Sequence, residues 1–296
     1  MRDFQYSSPA TRKEALALLE EGQGKAYPLA GGTDLLVQMK RGRTHPAHLV
    51  DLKRIPGLRD IHPEESSVMR IGALAPLSQL EKSLRDSPTH GLLAEGAASI
   101  GSVQIRNQGT VGGNLCNASP SADMAPPLLV LDARAVLESI RGKRVVPLRD
   151  FFLDPGKTAL VTGEILTEIQ VPFPPARAGM AYLKLGRRRG MDLAIVGVAC
   201  LLDVDPESRC RGARIALGAV APTPIRASRA ETALVGEKMS DRLFAEVSRM
   251  AAEEGRPISD LRASAEYRRE MIRVLTRRCL DLSWERSGHR GGQGRG

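Results

Sequence analysis

The chain has 296 residues, 42% of them hydrophobic and only 3% aromatic, and its 43 Lys and Arg against 34 Asp and Glu leave a net charge of +9. That length supports about two domains, and no run approaches the ~18 apolar residues of a membrane span. The sparse aromatics and short basic runs (Arg187 to Arg189, Arg268-Arg269, Arg277-Arg278) argue against nucleic-acid binding as the main role and leave a solvated or subunit-docking face as the simpler reading.

A helix is expected over 11–19, where Ala15, Leu16, Leu18 and Leu19 share helical spacing and Glu14 stands three residues after Thr11. A strand at 26–30 runs into Gly31-Gly32, an apolar segment follows at 35–39, and a short strand at 50–52 closes a βαβ-like unit near Pro56. Next come a strand over 68–75, helices over Leu77–Leu84 and 92–100, and a loop leading to Thr110. Residues 122–131 read as a helix with Pro126 and Pro127 in its first turn. Arg141-Gly142-Lys143 joins a hairpin of 135–140 and 145–148, and 165–171 is a further strand. Val171-Pro172-Phe173-Pro174-Pro175 breaks the pattern and marks a domain boundary. Beyond it, strands at 181–185, 194–204 and 213–220 precede helices over 240–253 and 259–284, an α+β arrangement without internal repeats. The Gly/Arg-rich stretch 287–296 is expected to be a disordered tail.

Two glycine-rich segments stand out: Leu29-Ala30-Gly31-Gly32-Thr33-Asp34-Leu35-Leu36 and Thr110-Val111-Gly112-Gly113-Asn114. Glycine lets the backbone reach φ > 0 and approach a ligand closely, and successive N–H groups in such turns suit anionic oxygens. Two loops of this kind could grip the two phosphates of one dinucleotide, whereas either alone reads equally well as a tight turn. Neither carries G-x-G-x-x-G, and Gly156-Lys157-Thr158 has Phe151 where a Walker A loop needs glycine.

Other chemistry is missing. Cys116, Cys200, Cys210 and Cys279 form no C-x-x-C pair, which argues against a disulfide framework, a zinc site or an iron–sulfur cluster on this chain and fits a cytoplasmic location. Met1-Arg2-Asp3-Phe4-Gln5 leads into polar residues, so no secretory leader is expected. His45-Pro46-Ala47-His48 has metal-like spacing but lacks carboxylates around it. No catalytic acid, base or nucleophile set is visible, as expected where a cofactor carries the reaction.

Ala30-Gly31-Gly32-Thr33-Asp34-Leu35-Leu36 followed by Met39-Lys40, and Gln104-Ile105-Arg106-Asn107-Gln108-Gly109 running into Thr110 to Asn114 and then Ser119 to Asp123, resemble the two FAD loops of molybdenum-hydroxylase flavoprotein subunits. That family includes the medium subunit of carbon monoxide dehydrogenase and the FAD-binding subunit of xanthine dehydrogenase. The resemblance runs from about Phe4 to about Trp284. It implies an α+β fold: a two-part FAD-binding domain of the PCMH type over 1–175 (subdomains about 1–55 and 56–175), then a small C-terminal α+β domain over 176–286.

It also implies a cofactor site. Leu29, Ala30, Gly31, Gly32, Thr33, Asp34, Leu35 and Leu36 would wrap the pyrophosphate; Thr110, Val111, Gly112, Gly113 and Asn114 would form a second wall; Ile100 and Leu166 would add apolar contacts; Asp123 would accept from the ribose or adenine side; Lys184 would offset anionic charge. Duller readings stand beside these: Asp34 and Asp123 as helix caps, Leu166 as core, Lys184 as a surface lysine. Molybdopterin would sit on a large partner subunit and two [2Fe–2S] clusters on a small one, as a dimer of heterotrimers, with electrons passing through FAD to NAD, a quinone or another acceptor. The substrate stays open among CO, purines, aldehydes and N-heterocycles. A stand-alone reductase of the UDP-N-acetylenolpyruvoylglucosamine reductase type and a non-catalytic basic scaffold are the rival readings.

Overall fold

The computed structural model describes residues 2–62, 68–188 and 190–288. The first unit contains β1 (Gln5–Ser7), α1 (Arg12–Glu21), β2 (Ala26–Leu29), α2 (Leu35–Lys40) and β3 (His48–Asp51). Its strands are parallel in the order β1-β3-β2. The Thr11 side chain accepts from the N–H of Glu14 and caps α1, which buries Ala15, Leu16 and Leu19. Strand β1 was not expected, because three partly exposed residues are too short to show alternation.

The second unit runs through β4 (Ile61–His62), β5 (Val68–Gly72), α3 (Leu77–Leu84), α4 (Gly91–Ala98), α5 (Val103–Gln108), α6 (Val111–Cys116), α7 (Ala125–Val130), β6 (Arg134–Ser139), β7 (Gly142–Pro147), β8 (Phe152–Asp154), β9 (Lys157–Thr158) and β10 (Ile165–Pro172). Its main sheet is antiparallel, ordered β4-β5-β10-β6-β7. Two differences from the sequence reading affect the site. The stretch before Thr110 is not all loop, since α5 forms within it, and the second glycine segment is itself helix α6. Helix α7 starts at Ala125 rather than 122, with its prolines in the first turn, and all six of its residues are buried.

The third unit has β11 (Ala178–Leu185), β12 (Val196–Val204), β13 (Cys210–Gly218), β14 (Ile225–Arg226), α8 (Ser228–Leu234), α9 (Asp241–Glu254) and α10 (Ala265–Arg286). The strands pair in chain order, all antiparallel. Alternation in β12 explains its unbroken apolar run. Val196, Val198, Cys200, Leu202 and Val204 join the core with α8 to α10, while Ala199 and Leu201 join the core of the second unit. The outer edge of β11 is covered: the Tyr182 N–H donates to Glu95 Oε2 (2.9 Å), Arg286 Nη1 donates to the Met180 carbonyl (2.7 Å), and Arg286 pairs with Glu95 Oε1 at 2.6 Å. Of the expected tail at 287–296, Ser287 forms the C-cap of α10, and 289–296 lie outside the described residues.

Candidate functional site: a cleft between two lobes

A cleft of about 500 Å³ opens between the parallel unit and the antiparallel sheet. Ala30, Gly31, Gly32, Thr33, Asp34 and Leu35 form one wall, at the end of β2 and the start of α2. Thr110, Gly112, Gly113 and Asn114 on α6 form the facing wall, with Ile100 and Leu166 between them. Leu29 and Val111 are buried behind these walls, and Leu36 turns toward solvent.

The walls offer different donors. Among the described residues, no backbone N–H from Gly31 to Leu35 has a hydrogen-bond acceptor. On the facing wall the donors are used internally: Val111 N–H to Ala75 O, Gly112 N–H to Ala73 O, Gly113 N–H to Thr110 Oγ1 and Asn114 N–H to Thr110 O. The second segment is therefore a capped helix start that packs its glycines close, and the anion-ready N–H groups belong to the first loop. Gly32 has φ +75°, and a Cβ on Gly31 would lie 2.0 Å from the Gln108 carbonyl oxygen, so the loop crosses directly over the end of α5.

Two carboxylates line the cleft, Asp34 and Glu164. Asp34 holds the N-cap position of α2 without capping it, and burial raises its pKa. Glu164 is gripped by Arg144 through Nε and Nη2, both at 2.8 Å; that pairing, with a hydrogen bond from the Val161 N–H, holds its pKa below the usual value against the pull of burial. Cys116 also lines the cleft, and burial pushes its thiol up to about 12, so it stays protonated at neutral pH. Across the cleft Gln38 Nε2 donates to Asn117 Oδ1 at 3.3 Å, and Thr44 Oγ1 donates to Gln38 Oε1 at 3.3 Å. The sequence reading missed Gln38, Thr44, Asn117 and Glu164. Asn117 lies three residues beyond Asn114 and would have been visible had the second glycine segment been read as helix.

Asp123 and Lys184 are brought together away from the cleft wall. Lys184 Nζ donates to Asp123 Oδ2 at 2.7 Å, to Ser99 O at 2.9 Å and to Asp192 O at 3.0 Å, which occupies all three of its protons. Tyr182 Oη donates to Asp123 Oδ1 at 2.9 Å. Asp123 thus caps no helix, and Lys184 is not a surface lysine. The pair ties β11 and the segment leading to β12 onto Ser99, next to Ile100 in the cleft wall. Burial raises the pKa of Asp123 despite its partners.

The family described as the FAD binding domain in molybdopterin dehydrogenase matches residues 2–174, and the CO dehydrogenase flavoprotein C-terminal domain matches 181–282. The chain belongs to the FAD-binding subunits of the molybdenum hydroxylases. It is 33% identical to the alpha subunit of the 6-hydroxypseudooxynicotine dehydrogenase complex of Paenarthrobacter nicotinovorans, over 96% of this chain and 95% of that protein. It is 36% identical to the xanthine dehydrogenase FAD-binding subunit of Escherichia coli O157:H7, covering 95% and 96%. A chain in the structure of carbon monoxide dehydrogenase from Hydrogenophaga pseudoflava superposes with a TM-score of 0.92 at 38% identity, covering 96% of this chain and 98% of that one.

As in other FAD subunits of this oxidoreductase family, the cofactor is FAD. The cleft suits it: a row of unpartnered N–H groups for phosphate oxygens, glycine surfaces on both sides, and apolar side chains such as Ile100, Ile105, Leu77 and Leu166 for a ring system. Among the described residues no helix is long and apolar enough to cross a membrane.

Proposed function

We propose that this chain is the flavin relay of a molybdenum hydroxylase complex, with FAD held in the cleft between Gly31–Leu35 and Thr110–Asn114. When bound, FAD exchanges electrons singly or in pairs. The residues of the chain bind and enclose it. The N–H groups of the first loop face the pyrophosphate. Ile100, Leu77 and Leu166 exclude water from the ring system. The Gln38–Asn117 bridge closes over the cleft. A large subunit carries molybdopterin and oxidises substrate there, a small subunit carries two [2Fe–2S] clusters, and electrons pass through this chain to NAD, a quinone or another acceptor. Among the described residues of the cleft, Glu164 is held by Arg144 and the Cys116 thiol stays protonated, which supports a relay in place of a complete hydroxylase. The relatives' names span a nicotine derivative, xanthine and carbon monoxide, which supports a substrate chosen on the partner subunit.

The observation that carries this reading is the unpaired donor row on the first loop, inside a domain of the FAD-binding family. The purified chain should be yellow and reducible, contain no stoichiometric iron, molybdenum or zinc, and fail to oxidise CO, purines or aldehydes until the other subunits are added. Turnover of such a substrate by the metal-free chain at the rate of the assembled complex would refute the relay reading.

A further inference from the structure

Next to the first loop, outside the residues that line the cleft, lies a charged pair that the cofactor motifs do not include. The β2–β3 register sets Asp51 opposite Leu29, the last residue before the loop. Asp51 is 4% exposed. Its carboxylate accepts from Tyr6 Oη at 2.6 Å and from the Lys53 N–H at 2.9 Å, and it pairs with Lys53 Nζ at 2.9 Å. Lys53 Nζ in turn reaches the Ala30 carbonyl oxygen at 3.4 Å. In a trans peptide the C=O of residue 30 and the N–H of residue 31 point in opposite directions. A cation holding the Ala30 carbonyl therefore fixes the Gly31 N–H in the opposite direction; Gly31 lines the cleft and its N–H has no acceptor among the described residues.

We propose that Asp51 and Lys53 are positioning residues for the cofactor pyrophosphate: Asp51 fixes the Lys53 ammonium, and the ammonium fixes the peptide plane that aims the Gly31 N–H into the cleft. This rests on the reading of the cleft as the FAD site. It extends that reading to a residue outside the cleft wall and to the diphosphate part of the ligand alone.

The test uses the full-length chain freed of FAD, with FAD, ADP and riboflavin as separate probes in fluorescence or calorimetric titrations. Lys53 is half exposed and Asp51 keeps its Tyr6 and backbone N–H donors, so Lys53→Met is expected to fold with only a modest drop in Tm. It should weaken FAD and ADP by the same factor, about five- to tenfold, because both carry the diphosphate, and leave riboflavin unchanged. Lys53→Arg should restore most of the affinity, which a side chain serving only as filler would not do. Equal FAD and ADP affinity in Lys53→Met and wild type would overturn the positioning role, as would an equal loss for riboflavin. A wild type that takes up neither FAD nor ADP would instead overturn the cofactor reading of the cleft.

Discussion

A Cβ built at Gly31 would stand 2.0 Å from the Gln108 carbonyl oxygen and 3.1 Å from the Gly109 Cα, whereas at Gly113 it would meet only Thr110 Oγ1, at 2.8 Å. Gly31→Ala must force the two lobes of the cleft apart, at about 1–3 kcal/mol. Gly113→Ala disturbs one capping hydroxyl, at about 1 kcal/mol. The expected order of lost FAD content and lowered Tm is Gly31→Ala well ahead of Gly113→Ala, measured on proteins purified side by side; equal losses would contradict it. The glycine pairs were legible in the sequence, but the separate reason for each was not. Positive φ holds for Gly32 and not for Gly113, and the atom that excludes a side chain at Gly31 comes from a remote helix end. Glu164 supplies a second residue-scale test. Its pairing with Arg144 holds its pKa below 4.5. The pair therefore stabilises the fold fully above pH 4.5, and that contribution fades as pH falls through the lowered value. The Tm gap between wild type and Glu164→Gln, followed by circular dichroism, should be widest at neutral pH and narrow as pH falls below 4.5.

Among the elements, α10 shows how a cap overrides an apolar pattern. Helical spacing suggested a start at 259, yet the helix begins at Ala265 under a Ser264 cap that accepts from the Tyr267 N–H. The reason lies in Asp260. Burial pulls its pKa up, but the N–H groups of Arg262 and Ala263 and the Arg268 guanidinium outweigh it, hold the carboxylate ionised and turn the chain before the helix can start. Arg268 is 3% exposed and also donates to the carbonyls of Ile195 (2.7 Å) and Ala219 (3.1 Å), so one side chain clamps α10 to the ends of two other segments. Arg268→Met should cost about 1–3 kcal/mol for each of the two buried carbonyls it strands, those of Ile195 and Ala219, while Asp260 keeps its Arg262 and Ala263 donors. Urea denaturation reads this directly, and a loss within 1 kcal/mol would show that the clamp is dispensable. Helix α6 failed to appear in the sequence for the opposite reason. Paired glycines are poor helix formers, and only the packing of Gly112 on Ala73, together with the Thr110 cap, makes them helical.

At the scale of the whole molecule, the division into a flavin part and a smaller C-terminal part was legible from the proline break, and the α+β class of the latter from its strands followed by helices. The seam between the parts was not, because its chemistry joins residues far apart in the chain. Lys184 and Asp123 form a buried ion pair in that seam. Lys184→Met would leave Asp123 buried without its cation, a change worth about 3–5 kcal/mol. Calorimetry should show one transition for the wild type and a broadened or split one for Lys184→Met as the two parts melt separately, and one unbroadened transition in the variant would argue against this role. The covered edge of β11 follows from the same seam. Glu95 comes from helix α4 of the flavin part, while the backbone it shields belongs to the C-terminal sheet. A fragment beginning near Ala178 would keep Arg286 on the Met180 carbonyl but lose Glu95, leaving the Tyr182 N–H of that edge bare and open to strand addition between copies. The flavin part thus acts as an anti-aggregation shield for the domain that follows it: the excised fragment should self-associate into β-rich oligomers at concentrations where the full chain stays monodisperse.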